Sequence, residues 1–134
     1  MRLPATTESV ERLMAALEEY AEAAALGPRA AHHLVLLAEE LAANVVMHGT
    51  RGPSPATWFA VTVRREGEAL HLVLEDDGPA FDPLALAAPD VSAGLEERGE
   101  GGLGIHLVRR LSRQAEYRRQ DSGNRIALTL DAMA

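Results

Sequence analysis

The sequence predicts an α/β protein, an α+β two-layer sandwich in which helices cover one face of a mostly antiparallel sheet. Two observations carry this. Apolar residues at helical spacing mark three segments, near 8–26, 29–48 and 103–113, while alternation marks strands near 57–65, before Asp76, near 114–120 and near 124–131. The first two strands are joined only by Glu66-Gly67-Glu68, too short a loop for anything but an antiparallel hairpin. A chain of 134 residues makes one domain, 1–134, which buries somewhat under about 70% of its unfolded surface.

In the first helix Val10, Leu13, Met14, Leu17 and Ala21 share a face. Thr7 can cap it and Glu8 complements its dipole. Gly27 and Pro28 end that helix and start the next, with Pro where its missing N–H costs little. No Gly or Pro interrupts 29–48, where Leu34, Leu37, Leu41 and Val45 form the apolar face and Glu40, Asn44 and His48 share a second stripe. The turn TRGPSPA leads into the first strand, and Leu70, Leu72 and Leu74 then alternate toward Asp76. Residues 83–98 have no regular period and read either as a lid that excludes water or as a plain connection. Behind them Leu103, Ile105, Leu107, Val108 and Leu111 read as a buried helix; the last strand puts Ile126, Leu128 and Leu130 on the core side.

Three short motifs on this frame carry chemistry. In EELAANVVMHG (39–49) the Asn44 amide offers a neutral oxygen of the kind Mg²⁺ accepts, and Glu40, one turn away, can take a proton from an attacking hydroxyl. The same two residues also fit the solvated side of an amphipathic helix. In DDGPAFDP (76–83) Asp76 continues an apolar face, so its carboxylate must find a donor, and the exocyclic amine of adenine is one. It also fits an ordinary Asx turn, with Gly78 allowing close backbone approach to a flat base. In GEGGLGIHLV (99–108) Gly99, Gly101, Gly102 and Gly104 precede a helix whose free N–H groups suit phosphate. A dinucleotide fold would need a buried strand before these glycines, and VSAGLEER is polar. Arg98, just ahead of the loop, is either a phosphate ligand or a surface arginine.

A net charge of −7 argues against direct nucleic-acid binding, so any bound anion must be held locally. With no Cys there are no disulfides or thiolate metal sites. MRLPATTES lacks a signal-peptide core, and uninterrupted apolar stretches fall short of a membrane span, so a cytoplasmic protein is expected. Adjacent His32 and His33 point about 100° apart on a helix and make a poor metal pair. His71 is expected on a solvent face, His106 behind the glycine loop, and His48 at a helix end beside the Glu40 stripe.

Taken together, over roughly residues 8–130, the three motifs resemble the GHKL ATPases, the group that includes gyrase and the sensor histidine kinases, and within it the small serine/threonine-protein kinases that act as anti-sigma factors. The resemblance implies a histidine-kinase-like ATPase fold with ATP and Mg²⁺ as cofactors. It implies that Glu40 is the base, Asn44 the Mg²⁺ ligand, Asp76 and Gly78 the adenine-binding element, and Gly101, Gly102, Leu103 and Gly104 the phosphate loop. It also implies an anti-anti-sigma (STAS-type) protein as acceptor, a sigma factor as second partner, and a homodimer, for which Trp58 as an exposed apolar residue is the support in the sequence. Two departures stand out. Ala80 replaces a second glycine of the D-x-G-x-G element, and Asn124 follows Gly123 where the family has Thr, so Asn124 is a candidate replacement hydrogen-bonding group near the base. Two other readings are a non-catalytic, nucleotide-dependent binding regulator and the ATP-binding half of a split histidine kinase. The second needs a phospho-accepting histidine on a helical hairpin, for which there is no room before the first helix, and many sensor kinases carry Asn where this chain has Glu40.

Overall fold

The computed structural model describes residues 1–85 and 102–134, with the side chains of residues 102 and 103 left aside. Five strands form one sheet in the order β1-β2-β3-β5-β4, every neighbouring pair antiparallel. They are β1 (Arg2–Pro4), β2 (Trp58–Glu66), β3 (Ala69–Asp76), β4 (Gln114–Gln120) and β5 (Gly123–Asp131). The helices are α1 (Thr7–Ala23), α2 (Pro28–Asn44) and α3 (Gly102–Leu111). The expected sandwich is therefore present, with β1 as an edge strand that the sequence did not announce. Three residues are too few for a period-two pattern to register.

Packing follows the sequence periods. Leu70, Leu72 and Leu74 of β3 and Ile126, Leu128 and Leu130 of β5 are all 4% exposed or less and meet α2, whose Leu34, Leu37 and Ala38 are fully buried. Leu13 and Leu17 of α1 and Ile105 and Val108 of α3 complete this core. By length and composition Pro28–Gly49 passes for a membrane span, but its leucine side is the centre of the core. Gly67, with φ 61°, turns β2 into β3 at the first position of a two-residue loop, where Gly is needed.

Helix ends differ from expectation. Thr6, not Thr7, caps α1: its backbone is extended (φ −130°, ψ 160°) and its Oγ1 accepts from Ser9 N–H at 3.3 Å, whereas Thr7 is already helical. The helix also stops at Ala23 rather than at Gly27. Ala25 takes φ 51°, and Leu26 N–H and Ala25 N–H donate back to Ala21 and Glu22 carbonyls at 3.1 Å each, a Schellman closure with alanine in the left-handed position. Gly27 has a different task. A methyl there would overlap the Ala134 carbonyl, and the Gly27 N–H donates to Ala132 O at 3.1 Å, which ties the chain after β5 to the start of α2.

At its other end α2 does not run on as an α-helix to residue 48. Val45–Gly49 form a π-helical turn, a feature frequent at functional sites because it re-aims side chains. The His48 ring stacks on that of Phe81, with centroids 5.5 Å apart. Pro83–Ala85 form a short 3₁₀ turn, and the rest of the segment read as a lid or connection lies outside the described residues.

Candidate functional site

The three motifs converge between α2, the end of β3 and the start of α3. Alternation along β3 puts Asp76 on the core side, 7% exposed, as the apolar pattern requires. Burial pushes its carboxyl above the usual range, opposed by hydrogen bonds from Asn124 and Gly78; Asp77 adds to the rise and Arg119 opposes it. Asp76 Oδ1 accepts from Gly78 N–H at 2.8 Å and from Asn124 Nδ2 at 3.0 Å.

Asn124 is the residue paired with Asp76 across β3 and β5, which explains how it arrives there. It is 6% exposed. Its Nδ2 also donates to Pro79 O at 2.8 Å, and its Oδ1 accepts from Phe81 N–H at 3.2 Å and from the Tyr117 hydroxyl. Arg119, its partner across β4 and β5, donates to Gly78 O at 2.8 Å. The turn from Gly78 to Phe81 is thus held by β4 and β5 side chains. Ala80 keeps a negative φ, so its methyl does not obstruct the turn as a replaced glycine would have suggested. Gly78 also has a negative φ; a Cβ there would sit 3.0 Å from the Ala56 Cβ and 3.2 Å from Gly49 O, so it is glycine because the turn packs against the end of the 39–49 motif.

Asn44 is 5% exposed, and its Nδ2 has no hydrogen-bond partner among the described residues. An orphaned buried amide costs about 1–3 kcal/mol, a cost that a ligand at this position would remove. Rotation of the amide puts its carbonyl oxygen in the same place, a hard neutral donor. That fits Mg²⁺, which takes its other ligands from water and phosphate rather than from a protein cage. Asn44, Asp76, Leu41, Phe81 and Asn124 line a cavity of about 30 Å³. This is far below the roughly 300–1,000 Å³ of a ligand pocket.

Glu40, one turn before Asn44, is half-buried rather than solvated. Burial, with Glu39 adding to it, raises its pKa. Its carboxylate abuts Gly104, where a methyl would overlap it. Gly104 is the third residue of α3, among the first N–H groups that lack a helical partner, and a helix N-terminus favours an anion there. Gly102 and Leu103 also fall in this first turn of α3, while Arg98, Gly99 and Gly101 lie outside the described residues.

Several residues here escaped the sequence reading. Asp77 accepts from the backbone N–H groups of Thr57 (2.7 Å) and Trp58 (3.1 Å) and from the Thr57 hydroxyl, and so fastens the start of β2 to the end of β3. Tyr117 and Arg119 lie on the core side of β4, at alternate positions that only the β4–β5 register could have identified. Trp58 is not an exposed apolar residue: it is half-buried, with the Arg2 guanidinium 4.0 Å above its ring. His71 is on the outer face as expected, 3.7 Å from Glu66. Among the described residues no group of three His, Cys, Asp or Glu could hold a metal.

Residues 3–130 match the histidine kinase-like ATPase domain family. The chain belongs to that family. It is 31% identical over 96 residues to the serine/threonine-protein kinase BtrW of Bordetella bronchiseptica, which spans 72% of this chain and 67% of the relative. Among solved structures, the histidine kinase domain of the Erythrobacter litoralis EL346 blue-light activated histidine kinase superposes with a TM-score of 0.52 at 18% identity over 97% of this chain, which spans 62% of that domain. The SiaB-SiaC complex from Pseudomonas aeruginosa gives a TM-score of 0.60 at 19% identity, covering 97% of this chain and 87% of the matched one. At these identities the structural likenesses show the fold. The family match accords with the GHKL resemblance and with an ATPase-type site.

Proposed function

We propose that this chain is a cytoplasmic serine/threonine-protein kinase of the anti-sigma type, which transfers phosphate from Mg-ATP to an anti-anti-sigma protein of the STAS type. The observation that carries the reading is the convergence of Glu40, Asn44, Asp76 and the N-terminus of α3, within a chain similar to a serine/threonine-protein kinase. A sigma factor as second partner and a homodimeric state belong to the same proposal.

In this mechanism Asp76 accepts a hydrogen bond from the adenine amine, and the free N–H groups at the start of α3 face the phosphates. Asn44 would hold Mg²⁺, which when bound neutralises phosphate charge. Glu40 receives the proton of a serine or threonine hydroxyl as that oxygen bonds to the γ-phosphorus and the bond to the bridging oxygen breaks, releasing ADP. A carboxylate whose pKa is raised by burial is a stronger base than a solvated one, which suits this step. Positioning supplies most of the rate.

The test is capture of partners from the native lysate on the immobilised protein, with ATP or ADP, followed by incubation of the captured proteins with γ-labelled ATP. Label on a serine or threonine of a captured protein is the expected result. Nucleotide-dependent capture without label would favour the non-catalytic binding regulator.

A further inference from the structure

We propose that Asn124 is a positioning residue for base recognition: it holds Asp76 by Oδ1, leaves Oδ2 as the one acceptor offered to the ligand, and fixes the turn that follows, without touching the nucleotide itself. This rests on the nucleotide-binding reading above, and it departs from the expectation that Asn124 contacts the cofactor directly.

The argument is a count of donors and acceptors. A carboxamide has two N–H donors and one oxygen with two lone pairs. In Asn124 the nitrogen is committed to Asp76 Oδ1 (3.0 Å) and Pro79 O (2.8 Å), and the oxygen to Phe81 N–H (3.2 Å) and the Tyr117 hydroxyl, with Arg119 Nη1 at 3.4 Å. Nothing remains for a ligand. Asp76 Oδ1 is likewise filled, by Gly78 N–H and Asn124. Oδ2 accepts no hydrogen bond among the described residues, so a donor on the base has one place to go. Asn124, at the β5 position paired with Asp76, therefore sets the carboxylate's rotation. By bonding both Pro79 O and Phe81 N–H it also closes the turn around Ala80.

The experiment compares the affinity of ATP with that of purine riboside triphosphate, the same molecule without the 6-amino group, by calorimetry. Wild type should prefer ATP by roughly 10- to 100-fold, the range for a hydrogen bond to a charged group. Asn124→Leu, similar in shape but without donors, should lower that ratio to within a few-fold of one, while the ratio of ATP affinities with Mg²⁺ and with EDTA stays as in wild type. A purely structural role would reduce both affinities together and leave the ATP preference intact. A folded Asn124→Leu that keeps the preference overturns the proposal, and so does a wild type that binds both ligands equally. If wild type binds neither, the nucleotide reading itself fails. Should Asn124→Leu not fold, Tyr117→Phe, which strips a partner from Asn124 without touching Asp76, must lower the ATP preference by a smaller factor; an unchanged preference overturns the proposal.

Discussion

The carboxylate of Glu40 on α2 lies against the backbone of Gly104 in the first turn of α3, so close that a single methyl at residue 104 would overlap it. Two motifs more than 60 residues apart in the chain are thereby one site. Gly104→Ala should displace the Glu40 side chain, which is flexible enough to move, and cost the fold no more than about 1 kcal/mol. Phosphate transfer should fall at least about tenfold, because a small misplacement of a reacting group is costly. Transfer rates and denaturation curves on the same preparation check both halves.

Burial of Glu40 has a consequence for stability. Its folded-state pKa is raised above the ordinary value of 4.5, so its contribution is fully present below that pH and is lost as pH rises through the folded-state value. Glu40→Gln removes the cost of burying the charge. The variant should unfold at a higher temperature than wild type at pH 7–8, and the difference should shrink as pH falls toward 4.5. An equal Tm at both pH values would show that Glu40 pays no such penalty.

Asp77 behaves in the opposite sense. Burial alone would raise its pKa, but hydrogen bonds from the Thr57 hydroxyl and from Trp58 and Thr57 N–H groups outweigh it and hold the carboxyl below its ordinary value of 3.8. Its stabilisation is therefore present above pH 3.8 and is lost as pH falls through the folded-state pKa. Asp77→Ala should destabilise the protein by about 1–2 kcal/mol at neutral pH, and the difference should narrow in acid. Urea denaturation at pH 7 and at pH 3 measures it.

Much of this architecture was legible in the sequence because one face of each main element is buried. Leucines at two-residue spacing fixed β3 and carried Asp76 to the core side; leucines at helical spacing fixed α2 and set Glu40 and Asn44 one turn apart. Contacts between distant segments were not legible. The Asp77 clamp depends on Thr57, 20 residues away. The hydrogen bonds of Asn124 depend on β5 standing between β3 and β4, the stack of His48 on Phe81 joins two separate segments, and no residue pattern marks the π-helical turn at Val45–Gly49. Ala25 in a left-handed position was hidden because glycine is the usual signal for it, and the nearby Gly27 drew the helix end three residues too far.

That alanine gives a stability test remote from the site. Ala25→Gly relieves the strain of φ 51° and should stabilise the protein by about 0.5–1 kcal/mol with nucleotide affinity unchanged. Gly27→Ala should destabilise it, because the methyl would overlap the Ala134 carbonyl. Chemical denaturation of the two variants should move the midpoint in opposite directions.

The most direct test of the kinase mechanism is Glu40→Gln, measured for transfer of label from γ-labelled ATP to the captured partner and, on the same samples, for ATP affinity. Size and hydrogen-bonding capacity are kept and the basic carboxylate is lost. The account predicts near wild-type affinity with the transfer rate lowered by around 10²- to 10⁴-fold. An unchanged transfer rate would contradict it and remove Glu40 from the chemistry.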